Sequence, residues 1–312
     1  MFREVVGPAN WKKQNLAESD WLRDLAAQDV SEADRLESVS QNIATTLETG
    51  VGVLLLRNTG LEQHDDEVAK QRFLKLMSRV GTAVSQSSTG DLVFSVRDAG
   101  FKEDDTRARG PNTKKKLSFH TDRCDVIAFL CLQQAKSGGE NQVVSSVAIY
   151  NEIRQRRPDL LSVLMKPFLY KRHNVDTGNA LAFCEQPIFS FCEEKFACAF
   201  LRVLIDRAYA DEQTPDISPE QKEALDFLES VAAEPEMQLR FVQEPGDILL
   251  LNNWITLHRR TAFEDWPDPE RRRHILRIWL SMPNSRPLDP LFKANYGAVE
   301  AGAIRGGMPP TA

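Results

Sequence analysis

Apolar positions along this chain fall into short runs punctuated by turn residues, with a few stretches of helical spacing between them. In residues 31–48, Ala33, Leu36, Ser40, Ile43 and Leu47 recur at helical intervals behind Ser31, a capping residue, and Gly50 stops the helix. Residues 51–57 are a solid apolar run between Gly50 and Asn58-Thr-Gly60, the mark of a buried strand. A second helix is predicted over 65–80, with Val68, Phe73, Leu76, Met77 and Val80 inward and Gly81 as its stop. Strands follow at 92–97, 126–132, 142–145, 168–172 and 188–192. Helices are predicted at 148–156, 201–210 and 219–233, the last opened by Ser218-Pro219 with Gln221. Towards the end, 237–242 alternates, 244–247 is a turn, 248–251 is a buried strand running on towards His258, and 271–280 reads as one strand.

Many short strands with few, mostly early, helices do not show the strict strand–helix alternation of a parallel sheet. The pattern predicts a mainly β fold with flanking helices, built on a double-stranded β-helix (jelly roll) whose strands converge on a central cavity. One domain over 1–312 is expected: a lead-in and helix over 1–49, a jelly-roll core with helical insertions over 50–282, and a wrap over 283–312. Trp11 and Trp21 are expected to pack the lead-in onto the body.

Composition narrows the class. With 42% hydrophobic and 27% charged residues the 312-residue chain reads as globular. Net charge is −6, and no basic block exceeds Lys114-Lys-Lys116 or Arg271-Arg-Arg273, which argues against a nucleic-acid partner. The apolar runs are too short for a bilayer span, and residues 1–8 lack the apolar core of a signal peptide. Five cysteines without a CxxC read as free thiols. A cytoplasmic protein with a small-molecule substrate is expected, and a homo-oligomer is left open.

The chemistry concentrates in Phe119-His-Thr-Asp-Arg-Cys-Asp125. In a strand, His120 and Asp122 would project from one face and offer a nitrogen and an oxygen to one metal ion. The competing reading is a surface turn in which Asp122 caps the backbone. His258 could complete a two-His-one-carboxylate set, the facial arrangement that holds Fe(II) with open positions; alone, it reads equally as a strand-end His bonded to backbone. Arg273 and Arg277 lie four apart on a strand, on one face with Ile275 and Trp279. Buried there, they would require anions, and Arg forks suit carboxylates. His173 reads as a surface or packing residue.

With these pieces in order, the sequence resembles the taurine dioxygenase/clavaminate synthase-like group of Fe(II)- and 2-oxoglutarate-dependent oxygenases over roughly residues 50–282. The resemblance rests on the His120 segment and on Ser137-Gly-Gly-Glu-Asn-Gln-Val-Val-Ser-Ser146. It rests also on Pro245-Gly-Asp-Ile-Leu-Leu-Leu-Asn-Asn253, on Leu257-His-Arg-Arg-Thr-Ala-Phe-Glu-Asp265 and on Arg273-His-Ile-Leu-Arg277. It implies Fe(II) on His120, Asp122 and His258, and Arg273 clamping the distal carboxylate of 2-oxoglutarate. Asn141 stands where the family usually has Thr or Ser on the same cosubstrate, and Arg277 matches an Arg that in some members faces an anionic substrate.

The implied reaction consumes O2, releases succinate and CO2 and hydroxylates an unactivated C–H of a small anionic or amino-acid-like molecule. Desaturation or cyclisation of a natural-product scaffold would use the same residues. A carboxylate at position 122 leaves no halide site and argues against a halogenase. The 98–116 loop, with Arg107, Arg109 and Asn112, and Gln86-Ser-Ser-Thr89 are candidate substrate-facing segments, with solvated loops as the competing reading for each residue. The rivals are a zinc hydrolase on the same ligands and a non-catalytic β-sandwich binder.

Overall fold

The computed structural model describes residues 2–25, 43–101 and 110–311. Most of the helix predicted over 31–48, and Arg107 and Arg109, lie outside these residues. Of that helix, 43–49 is helical, with Ile43 and Leu47 buried as expected.

The core is a jelly roll of two facing sheets. The larger sheet runs in the order Leu22–Asp24, Val53–Arg57, Ile248–Asn252, Val126–Gln133, His274–Ser281, Thr82–Val84, with Val93–Val96 also pairing the strand His274–Ser281. The smaller sheet is Gln238–Phe241, Asn141–Ser145, Thr256–Arg260. It gains a further edge at His120, which exchanges two backbone hydrogen bonds with His258, each 3.0 Å long.

The larger sheet is apolar on both faces, and the two faces do different jobs. Leu54, Leu56, Ala128, Leu130, Leu250, Leu276 and Ile278 pack outward against Phe73, Leu76 and Met77 of the helix Asp66–Met77. That helix starts where Asp65 Oδ1 accepts from the amides of Glu67 and Val68. The alternate residues, Val53, Leu55, Ile127, Leu249, Leu251 and Trp279, point between the sheets. Both lead-in tryptophans pack into this inner cluster, as expected; Trp11 donates its indole N–H to Val51 O at 2.8 Å.

A third apolar cluster lies on the far side of the smaller sheet, against Ser146–Arg156, Pro158–Leu164 and Pro219–Ala233. The helices are therefore not mostly early. The helix predicted over 148–156 ends at Arg156, and Pro158 opens the next one, because its missing N–H costs nothing at a first helical position. Pro219–Ala233 begins with the predicted capping box between Ser218 and Gln221. All five cysteines are free, and no helix among the described residues is long and apolar enough to cross a membrane.

Candidate metal centre

The antiparallel bridge sets His120 and His258 side by side, with ring centroids 4.4 Å apart. After His120 the chain leaves the sheet. Asp122 lies in a loop, so strand alternation is not what aims its carboxylate, as the His-x-Asp spacing had led us to expect. Tertiary hydrogen bonds do that instead. Thr121 N donates to Phe200 O at 2.8 Å, and Asp122 N donates to Asn253 Oδ1 at 2.9 Å.

Donor atoms of His120, Asp122 and His258 all lie within 4.8 Å of one another. Asp122 Oδ2 is 3.3 Å from His258 Nε2 and 3.7 Å from His120 Nε2. His120 Nδ1 lies 2.9 Å from Ser118 O. A carbonyl only accepts, so Nδ1 carries the proton and Nε2 presents its lone pair to the cluster, the orientation a metal-binding imidazole needs.

The electrostatics suit a bound cation. Burial pushes the His120 pKa down to about 4, helped by His258, so the ring is a neutral donor. Burial alone would raise the Asp122 carboxyl, yet His258, Arg277 and His120 together hold it below the usual carboxylate range. It is ionised, while its buried Oδ2 has no hydrogen-bond partner; nor has the buried His258 Nδ1. Buried polar atoms of this kind are almost always satisfied. A small divalent cation with N and O ligands matches the deficit, and the donor set fits Fe(II).

A cavity of about 470 Å³ opens over the cluster. Arg273, Arg277 and Asn141 all line it, as does Phe129, which meets His258 edge-on at 5.9 Å. The strand that carries Arg277 begins at His274, not at 271, so Arg273 lies just before it rather than on it, and the register shifts between His274 and Ile275. Burial lowers the Arg273 pKa to about 10, where it remains charged, and among the described residues it forms no ion pair. Gly138 lets the chain pass close to the 262–263 backbone, where a Cβ would lie 2.3 Å from Ala262 O, and at Gly139 a Cβ would lie 3.7 Å from Arg273 Nε. Asn141 donates to Gln243 Oε1 at 3.4 Å, and Gln243 Nε2 is spent on Phe129 O at 3.0 Å.

One expectation is corrected. Gln86 does not face substrate: it is fully buried and accepts from Arg277 Nε at 2.7 Å. His173, half-buried, lines the cavity in the connection between the paired strands Pro167–Lys171 and Phe183–Pro187. Of the residues not singled out, Phe129 was findable, since period-two alternation through the inward Ile127 puts it on the same face. Asn253, Gln243 and the 167–187 wall carry no comparable local signal.

The chain is similar to known proteins in sequence and in fold. The family model described as taurine catabolism dioxygenase TauD, TfdA family matches residues 19–279. FR-33289 synthase of Streptomyces rubellomurinus (strain ATCC 31215) is 32% identical over 266 residues, 82% of this chain and 77% of that protein. Uridine-5'-phosphate dioxygenase of Amycolatopsis sp is 30% identical over 156 residues, 47% of this chain and 52% of that one. Among solved structures, asparagine oxygenase with Fe(II), 2S,3S-3-hydroxyasparagine and succinate superposes with a TM-score of 0.61 at 15% identity, covering 82% of this chain and 88% of that one. The non-heme iron oxygenase OrfP with Fe and alpha-ketoglutaric acid gives 0.59 at 15% identity, covering 80% and 82%.

Proposed function

The chain belongs to the taurine catabolism dioxygenase TauD, TfdA family and is a 2-oxoglutarate-dependent non-heme iron dioxygenase acting on a small molecule; from that premise we propose how its own residues carry the reaction and what kind of substrate they take. His120, Asp122 and His258 would hold Fe(II). The observation that carries this assignment is the ionised, buried Asp122 whose Oδ2 lacks a partner beside two imidazoles. When bound, the iron and its cosubstrate supply the oxidising power. Their net chemistry would split 2-oxoglutarate into succinate and CO2 with one oxygen atom of O2 and place the other on a substrate C–H.

The remaining roles belong to the cavity. Arg273 binds the distal carboxylate of 2-oxoglutarate through its planar fork. Asn141 offers a second donor to the same carboxylate once its long bond to Gln243 is exchanged. Phe129 and Trp279 give these charges an apolar setting, which keeps water scarce and the interactions strong.

Charge identifies the substrate class. Counting the imidazoles as neutral, Fe(II), Asp122, Arg273 and Arg277 together with dianionic 2-oxoglutarate leave one positive charge in excess in a buried site, and such an excess demands an anion. Nine of the described side chains lining the cavity are Lys or Arg and three are Asp, in a chain of net charge −6. The substrate is therefore a small molecule with an anionic group, seated on Arg277, and an aliphatic carbon facing the iron.

The test is an anaerobic titration with Fe(II) and 2-oxoglutarate, followed by the weak visible charge-transfer band of the chelated cosubstrate. The band is expected in the native protein and absent in His120→Ala. A folded native protein that retains Fe(II) but shows no band would sink the cosubstrate assignment. Succinate release across a panel of anionic and neutral substrates then tests the substrate class.

A further inference from the structure

Arg277 stands where substrate recognition and metal binding meet, and it is held unusually firmly. It is 5% exposed, and its Cζ lies 5.2 Å from the Phe94 ring centroid and 4.9 Å from that of Trp279. Its Nε is committed to Gln86 Oε1. Gln86 in turn donates its amide nitrogen to Leu92 O and to Arg277 O, each at 2.9 Å. The Nε donor of Arg277 is thereby used up, and the guanidinium lines the cavity. Its Nη1 lies 3.6 Å from Asp122 Oδ1, and Asp122 is its one ion-pair partner among the described residues.

A fixed cation at this distance competes with any second cation for the Asp122 carboxylate. It weakens the carboxylate as a metal donor and repels a divalent ion directly, and burial leaves both effects poorly screened. An oxyanion seated on the terminal nitrogens of Arg277 cancels part of that repulsion. We propose that Arg277, locked in place by Gln86, couples the two sites: a substrate anion raises the affinity for the metal, and the metal raises the affinity for the anion by the same factor. Gln86 is then a positioning residue, acting only through Arg277. The inference rests on the assignment of His120, Asp122 and His258 as metal ligands.

The experiment titrates the protein with Co(II), a redox-inert stand-in, at saturating 2-oxoglutarate to occupy Arg273. Co(II) affinity is read from its visible absorption with and without sulfate as the oxyanion probe. In the native protein sulfate should tighten Co(II) binding by about tenfold, the usual scale of such coupling. Arg277→Met should bind Co(II) more tightly than the native protein without sulfate and should not respond to sulfate. Gln86→Glu sets a carboxylate against Arg277 and should do the same with the guanidinium still present, which covers a failure of Arg277→Met to fold. The proposal is overturned if folded variants bind Co(II) no more tightly than the native protein, or if the sulfate effect persists in them. Failure of the native protein to bind Co(II) at all would instead remove the metal-ligand assignment, and the coupling with it.

Discussion

Asp122 and Asp125 lie three positions apart. Both carboxylates are withdrawn from water, and the protein treats them in opposite ways. Asp125, 2% exposed, accepts from Trp254 Nε1 at 2.8 Å, Met282 N at 2.8 Å, Arg305 Nε at 2.7 Å and Ser281 Oγ at 3.4 Å. Arg305 passes a further bond of 2.8 Å to Arg286 O. This is a closed knot that ties the 283–311 segment under the sheet. Asp122 receives no such care: its loop is pinned, but Oδ2 is left without a donor. Burying a charge costs several kcal/mol unless partners compensate. A fully compensated carboxylate is structure, and a deficient one held rigidly marks the place of a cation. The imidazoles repeat the contrast. His274, on the outer face of its strand, has Nε2 3.2 Å from Ser95 Oγ and Nδ1 3.1 Å from Asp66 Oδ2, while His258 leaves Nδ1 unpaired.

The sharpest way to break the contrast is to remove each carboxylate in turn. Asp122→Ala should lower succinate formation on the order of a thousandfold, since a metal ligand is lost, while its melting temperature stays level or rises. Asp125→Ala should do the reverse. It leaves Arg305 buried and uncompensated, so urea unfolding should show a loss of about 3–5 kcal/mol, with a smaller change in turnover per folded molecule. Equal loss of stability in the two variants would erase the distinction.

The arginines extend the comparison at a smaller scale. Arg273→Met should raise the KM for 2-oxoglutarate by roughly 30- to 100-fold, the worth of one charge-assisted bidentate contact, and barely move the melting temperature. Arg305→Met should unfold more easily and leave that KM near its native value. Steady-state kinetics on both variants decides the point.

The smallest effect concerns pH. Burial, with help from Arg97, depresses the His274 pKa from 6.5 to about 4. The unfolded chain therefore binds this proton more readily than the folded one. Stability from this group is present above about pH 6.5 and is lost as pH falls towards 4. His274→Asn should flatten the melting-temperature profile in that window. An unchanged profile would show that the outer-face cluster does not resist protonation.

Legibility in the sequence follows the same division. The strands at 53–57, 126–133 and 248–252 were readable because solid apolar runs between turn residues have few other uses. His120, Asp122, His258, Arg273 and Arg277 were nameable because few side chains can ligate iron or fork a carboxylate, and the structure brings all five around one cavity. Where reading stopped, the reason was distance along the chain. Gln86 looked like a loop residue because its partner, Arg277, comes 191 positions later. The aim of Asp122 comes from Asn253, 131 positions away.

Above all, nothing near Asp122 and Asp125 marks one as unsatisfied and the other as bound. Residue chemistry determined which groups could serve. Tertiary structure decided which of them were satisfied, because Trp254, Ser281, Met282 and Arg305 reach Asp125 only once the sheets have closed. A hydrogen-bond deficit is a property of the assembled neighbourhood, and no local pattern encodes it.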